Sequence, residues 1–384
     1  MIFRDIEAVS GLSHPGGSVR SRFPTSKGPA PMNFASDNVY GIHPHILAAI
    51  SEANSGTAPS YASDDYSKRA EEALGEVFEK PVRAFLVTTG TAANGLALSA
   101  IAPPYGAVIC HAEAHICCDE CNSPEHFTGG AKILGLHGAG GKITPTAIEK
   151  TLKGFIRGEH DPKPAAVSLT NATELGTLYT PAEISTISAL IKPRGMKLHM
   201  DGARFANAVA GLGVSPAEVT WKSGVDVMSF GATKNGAMLL EAVVFFDTKL
   251  AEDFAYRRMR AGQLVSKSRY LGAQMVAYLK DGLWLENARR ANELAQRLAK
   301  GLLASNSVRI PHPVQANEVF AVMPRQLYAD LQSSGARFYD WMPDGLGPNG
   351  IKEDEVLARF VLSFATPAQD IDRFLDLIQL KCVA

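Results

Sequence analysis

Val225-Asp226-Val227-Met228-Ser229-Phe230-Gly231-Ala232-Thr233-Lys234-Asn235-Gly236 is the stretch that decides the fold. Its first half is a short, almost continuously apolar run, the pattern of a strand covered on both faces. Its second half is a Gly/Thr/Asn turn that carries a lysine. Most lysines lie in solvent and carry no functional message. One that ends a buried strand sits where its amine can be desolvated and made nucleophilic.

The same texture recurs on both sides. Arg83–Thr89, Ala107–Ala112, Ala131–His137, Ala165–Asn171, Lys197–Asp201 and Ala242–Asp247 each read as a strand, as does Val225–Gly231. Helix starts lie between them. Thr180-Pro181-Ala182-Glu183 and Ser215-Pro216-Ala217-Glu218 combine a hydroxyl N-cap, a proline at the first helical position and a glutamate at the third. Thr144-Pro145 is the same device without the glutamate. Alternating strands and helices predict parallel pairing through right-handed crossovers, and seven such strands make one large, mostly parallel α/β sheet.

After residue 248 the texture changes. Lys249–Arg260, Leu264–Lys280 and Trp284–Leu303 are long helical patterns. Strand candidates follow at Val308–Ile310, Val319–Met323 and Arg359–Phe364, and a last helix opens at Thr366-Pro367-Ala368-Gln369. The expected organisation is an arm over 1–31, a large α/β domain over 32–248 and a smaller α+β domain over 249–384. The helix Pro44–Gly56 can pack with either domain. The arm ends at Gly28-Pro29-Ala30-Pro31; Asp5, Glu7 and the lack of a secretory apolar segment speak against a targeting role.

Composition excludes several classes of function. Of the 384 residues 46% are apolar and 20% charged, enough for packed cores and unlike a disordered chain. Lys and Arg number 38 against 39 Asp and Glu, so there is no global basic field for nucleic acid or an acidic membrane. No apolar run approaches eighteen residues, which argues against a spanning helix. Five cysteines do not make a disulfide framework and fit a reducing, cytoplasmic setting. His111, His115, Cys117, Cys118, Cys121 and His126 crowd one segment and raise zinc as an alternative. A structural zinc site wants a second Cys/His pair at a defined separation, so buried thiols beside a βα loop are the better reading, with no metal.

Two further segments bear on Lys234. In Phe85-Leu86-Val87-Thr88-Thr89-Gly90-Thr91-Ala92-Ala93-Asn94 a strand turns through Thr and Gly into a helix, whose free N–H groups and positive end suit a phosphate. An ordinary βα turn would look the same, and the G-x-G-x-x-G spacing of dinucleotide sites is absent. In Lys197-Leu198-His199-Met200-Asp201-Gly202-Ala203-Arg204 a carboxylate ends an apolar strand, where open α/β sheets bind ligands, with Arg204 close behind. A surface Asp–Arg pair is the alternative. Together a phosphate cup, a carboxylate for a pyridine nitrogen and a lysine for an aldehyde describe one cofactor, pyridoxal 5'-phosphate.

The wording of His199-Met200-Asp201-Gly202-Ala203-Arg204 and Ser229-Phe230-Gly231-Ala232-Thr233-Lys234-Asn235-Gly236 resembles the low-specificity threonine aldolases, of the β-eliminating lyase group of fold-type I pyridoxal-phosphate enzymes. The likeness runs from about Asn33 to the C-terminus. It implies that Lys234 holds the cofactor covalently, that Asp201 faces the ring nitrogen, and that Thr89, Gly90 and Thr91 take the phosphate. Arg204 is implied near the cofactor's phenolic oxygen and the substrate carboxylate, with Ser36 and Arg359 as further carboxylate ligands. His115 is implied to stack on the ring, associated with Glu120, and His160 to be a second active-site histidine. Tyr61 and Asp64 fall where the family places a stretch from a neighbouring subunit, although Tyr61-Ala62-Ser63-Asp64 departs from the family wording. The implied assembly is a homotetramer, a dimer of dimers.

The implied reaction cleaves a β-hydroxy-α-amino acid such as L-threonine, L-allo-threonine or a phenylserine to glycine and an aldehyde. The base for the β-hydroxyl is His115, His160 or a water that one of them orients. The alternatives are an aminotransferase, racemase or β-eliminating lyase using the same cofactor, or a non-catalytic interaction protein that keeps the fold.

Overall fold

Seven strands form where the sequence places them, and the one that runs against its neighbours is directed by the length of a loop. The computed structural model describes residues 31–341 and 350–383. The expected arm, 1–31, lies outside the described residues apart from Pro31. Met32–Ala384 makes one compact unit.

After the two-residue strand β1 (Met32–Asn33) come β2 (Arg83–Val87), β3 (Gly106–His111), β4 (Lys132–Leu136), β5 (Lys163–Thr170), β6 (Lys197–Gly202), β7 (Val227–Gly231) and β8 (Glu241–Phe245). These seven form a sheet in the order β2-β8-β7-β6-β5-β3-β4. The pairs from β4 through β3, β5 and β6 to β7 are parallel, whereas β8 is antiparallel to both β7 and β2. A mostly parallel sheet was the expectation, and β8 is the one strand that reverses. Residues 232–240 are too short for the crossover of about a dozen residues that a parallel partner needs, so the chain turns straight back. Since β8 reverses against both neighbours, β2 again runs with the parallel set.

Helix starts follow the capping chemistry with one exception. Thr180 and Glu183 complete a capping box at the helix Pro181–Ile191, and Thr144 caps Pro145–Leu152. Ser215 and Glu218 also bond reciprocally, at 3.3 and 2.9 Å, yet no α-helix follows, only the 3-10 turn Trp221–Ser223. The helix Phe205–Leu212 already supplies the crossover from β6 to β7.

Further on, β9 (Glu318–Pro324), β10 (Ala336–Arg337), β11 (Tyr339–Trp341) and β12 (Glu355–Val361) complete the strands. β11, β12 and β9 form an antiparallel sheet in that order, and β10 pairs in parallel with β1. Several expectations here need correction. Val308–Ile310 yields only an isolated bridge, Arg309 to Val322. The pattern over 249–260 splits into a 3-10 turn, Thr248–Ala251, and the helix Phe254–Arg260. The helix expected from Leu264 starts at Arg269, and the last strand starts before Arg359, at Glu355. Apolar periodicity reveals the elements but not their ends, where local turns compete.

The principal core lies against the large sheet and holds Phe78, Phe205, Phe230, Tyr278 and Trp284 in one aromatic cluster. A second core gathers Phe34, Phe338, Phe360 and Phe374 beside β9 and β12. Two glycines set how closely β6 and β7 approach at their carboxyl ends. A methyl at Gly202 would sit 2.6 Å from the carbonyl oxygen of Ser229, and one at Gly231 would sit 2.4 Å from that of Ala203. The two strand ends therefore touch backbone to backbone, which holds Asp201 and the turn bearing Lys234 in a fixed relation. Gly231→Ala should cost about 1–3 kcal/mol in urea unfolding, because overpacking forces the two backbones apart. Unchanged stability would show that this approach is not tight.

Candidate active site

The carboxyl ends of β2, β3, β5, β6 and β7 lie along one edge of the large sheet, and the loops leaving that edge carry the polar residues. Gly90, His115, Asp201, Arg204 and Lys234, all predicted from sequence, line one cavity there. Asn94, Thr170 and Glu174 line it with them and were assigned no role from sequence.

Asp201 is 2% exposed at the end of β6. Its Oδ1 accepts the N–H of Ala203 at 2.9 Å, and its Oδ2 accepts Asn94 Nδ2 at 2.7 Å. The same amide nitrogen donates to Glu120 Oε1 at 2.8 Å, and Glu120 Oε1 also meets His115 Nδ1 at 2.8 Å. One continuous chain thus links the Asp201 carboxylate to the His115 ring. The bond to Glu120 raises the His115 pKa above the ordinary imidazole value. Asn94 had a readable signal, since it lies one helical turn after Gly90 on the helix Gly90–Ile101.

Below Asp201, on the same face of β6, His199 is fully buried between Ser168 Oγ, 2.8 Å from Nδ1, and Ser229 Oγ, 3.3 Å from Nε2. Burial pushes its pKa down to about 4.

Lys234 sits in the 3-10 turn Thr233–Asn235 directly after β7. The turn is fastened to the core by its next residue: Asn235 Nδ2 donates to Tyr278 Oη at 2.7 Å and to the Trp284 carbonyl at 2.8 Å. Gly236 follows at φ 116°, a left-handed conformation that favours glycine. Glu241, buried at the start of β8, accepts the N–H of Ala232 at 3.1 Å, and burial lifts its pKa to about 7. No hydrogen bond or ion pair ties the Lys234 amine to any of the described residues.

The predicted carboxylate-binding residues are joined in a network that sequence reasoning did not foresee. Arg204 donates to Asp37 through Nε at 2.8 Å and Nη2 at 3.1 Å. Arg359 donates to Glu318 Oε1 through Nε at 3.0 Å and Nη2 at 2.6 Å, and its guanidinium lies 4.5 Å from the Trp341 ring centroid. Arg204 Nη1 also approaches Glu318 Oε2, at 3.6 Å. Two buried acids therefore neutralise two nearly buried arginines. Glu318 had the same signal as Arg359, a lone charge in an apolar strand. Ser36 caps the turn Asp37–Val39 by accepting the Asn38 N–H at 3.1 Å.

Other predicted residues lie elsewhere. His160 is exposed in the 3-10 turn Gly158–His160, before the amino end of β5, whereas the cavity lies at the carboxyl end. At about 3.3 Å per residue, the length of β5 separates them, so His160 does not join the site within this chain. Tyr61 is 53% exposed at φ 56°, and Asp64 is a buried N-cap that accepts the Ser67 N–H at 2.9 Å. Cys110 is buried, but Cys117, Cys118 and Cys121 are exposed, which corrects the expectation of buried thiols. Both His111 ring nitrogens are engaged, with the Gly138 carbonyl and the Glu113 N–H, and no metal-holding cluster occurs among the described residues.

The residues present fit pyridoxal phosphate. The helix Gly90–Ile101 offers the N–H groups of its first turn, and nothing lies within 4 Å of where a Gly90 side chain would start. Thr89 Oγ1 accepts the Ala92 N–H at 3.2 Å and keeps its proton to donate, so it serves as cap as well as candidate ligand. Asp201 is a buried carboxyl whose hydrogen-bond partners among the described residues, Asn94 and the Ala203 N–H, are uncharged, and the Lys234 amine is unengaged by those residues.

A family profile for β-eliminating lyases matches residues 33–326. A low specificity L-threonine aldolase of Pseudomonas sp. is 47% identical over 81% of this chain and 90% of its own length. One of Pseudomonas aeruginosa is 45% identical over 90% and 95%. A solved threonine aldolase structure from Leishmania major superimposes with a TM-score of 0.85 at 29% identity, covering 92% of this chain and 100% of that one.

Stability should depend on the burial of His199. Its folded pKa lies below the ordinary 6.5, so the neutral ring stabilises the fold above pH 6.5, and that contribution is lost as pH falls towards 4. The loss should reach roughly 3 kcal/mol by pH 4. Comparing urea unfolding of wild type and His199→Gln from pH 7 to 4 should show a smaller decline in the variant. Parallel declines would contradict a buried neutral His199.

Proposed function

The chain belongs to the β-eliminating lyase family, and we propose that it is a pyridoxal-phosphate-dependent carbon–carbon lyase that cleaves β-hydroxy-α-amino acids to glycine and an aldehyde. The observation that carries this reading is the convergence of Asp201, His115 and an unengaged Lys234 amine on one cavity whose wall includes a helix N-terminus. When bound, pyridoxal phosphate supplies an electrophilic ring that takes up the electron pair of the broken Cα–Cβ bond. Thr89, Gly90 and Thr91 would hold its phosphate, Asp201 would keep its ring nitrogen protonated, and Lys234 would be its covalent anchor.

The remaining residues act on the substrate. Arg204, Arg359 and Ser36 bind the carboxylate and so fix which bond to Cα is aligned for cleavage. Asp37 and Glu318 hold the two guanidiniums through paired N–H bonds, and Trp341 stacks on Arg359, so the clamp is oriented before substrate arrives. His115 covers the ring face, held by Glu120.

We read residues 32–248 as the cofactor-binding domain and 249–384 as a smaller domain that contributes Arg359 and Glu318. Among the described residues no helix is long and apolar enough to cross a membrane. A cytoplasmic homotetramer, with Tyr61 reaching a neighbouring site, completes the reading; the exposure of the Tyr61 ring supports it.

The holoprotein should release aldehyde and glycine from L-threonine, L-allo-threonine or L-phenylserine without an added keto acid, and should spare the D-enantiomers. Arg359→Ala should raise KM and lower kcat together, since orientation is lost with binding. Arg359→Lys should not restore them, because the planar fork is missing. Transamination in place of cleavage would reject the reaction, and wild-type kinetics in Arg359→Ala would reject the clamp.

A further inference from the structure

Cleavage needs a group to take the β-hydroxyl proton, and the histidines suggested by the sequence are poorly placed for it. His160 lies at the far end of β5. His115 has its Nδ1 committed to Glu120 and, on the reading above, its ring lies against the cofactor. Asp201 has both oxygens engaged.

Glu174 differs from all three. It follows β5 at the cavity edge of the sheet and lines the cavity together with Lys234 and Asp201. Its Oε1 accepts the His115 N–H at 3.0 Å and the Thr170 hydroxyl at 2.9 Å, which fixes the side chain. Its Oε2 is buried and has no hydrogen-bond partner among the described residues. A buried carboxyl oxygen without a donor is costly to keep, and it invites a hydroxyl from a ligand.

Building on the aldolase reading, we propose that Glu174 is a catalytic residue, its free Oε2 accepting the proton of the substrate's β-hydroxyl. The O–H proton passes to the carboxylate, and the O–H electron pair becomes the second bond of the aldehyde carbonyl. The Cα–Cβ pair stays with the α-carbon fragment, which takes up one proton to become glycine. Atoms balance without any further reactant.

The charge environment suits the role. Burial and the neighbouring Asp201 lift the Glu174 pKa to about 7, close to the value at which a base works best at neutral pH. The charged and titratable groups that interact with it are Asp201, Arg204, Cys110, Cys118 and Tyr179.

The test compares wild type with Glu174→Gln, which keeps an acceptor at Oε1 and removes the base. Both proteins, loaded with pyridoxal phosphate, are assayed for L-threonine cleavage and for exchange of a glycine α-proton in deuterium oxide. The exchange breaks no bond to a hydroxyl-bearing carbon. Cleavage by Glu174→Gln should fall about 100-fold or more, with KM within threefold, while exchange falls less than tenfold. The wild-type cleavage rate should rise with pH through about 7, and the variant should lack that rise.

A readout without cofactor is urea unfolding of the apoproteins. The folded pKa lies above the ordinary carboxyl value, so wild type should lose stability relative to Glu174→Gln as pH rises from 5 to 8. Cleavage by the variant within tenfold of wild type, equal loss of cleavage and exchange, or a pH-independent stability difference would each overturn the proposal. If the variant does not fold, a wild-type cleavage rate flat from pH 6 to 8 overturns it. A wild type that neither cleaves nor exchanges would instead overturn the aldolase reading.

Discussion

The site depends on satisfying a carboxyl group buried inside the protein. Asp201 lies at the end of a buried strand, and a buried anion is tolerated only when hydrogen bonds replace the water it has lost. The Ala203 N–H and the Asn94 amide supply those bonds. Because the Asn94 amide has two protons, the second extends the chain to Glu120 and on to His115. A requirement of electrostatics at one atom therefore positions a helix, a neighbouring acid and a histidine. The backbone contact through Gly202 and Gly231 then fixes the Lys234 turn against the same strand end.

The charges divide into two zones. Around Asp201 the groups are acids bridged by an amide, an arrangement that favours a cationic ring nitrogen. Around Arg204 and Arg359 the guanidiniums are matched one for one by Asp37 and Glu318. The proposed carboxylate clamp is thus a matched set of charges, which lowers the cost of burying two arginines.

Much of the site is legible in the sequence because it rests on local pattern. The Gly/Thr/Asn turn around Lys234, the carboxylate ending an apolar strand and the Thr-Gly helix start are each contiguous, and all three reach one edge of the sheet. Asn94, Glu174, Asp37 and Glu318 escape such a reading because their roles arise from folding. Asp37 meets Arg204 across 167 positions, and Glu318 meets Arg359 between adjacent antiparallel strands. The direction of β8 cannot be read from texture alone, while the short 232–240 connection settles it. His160 was implied by the resemblance alone, and its place just before the predicted strand Ala165–Asn171 already put it at the amino end, away from the cavity.

The central claim is that Lys234 carries the cofactor over Asp201. Borohydride reduction of the yellow holoprotein, followed by peptide mapping, tests it most directly. The account predicts that pyridoxyl label is fixed to one peptide, containing Gly231–Gly236, with the modification on Lys234. Label on another lysine, or a holoprotein that keeps its colour and turnover in Lys234→Ala, would contradict it.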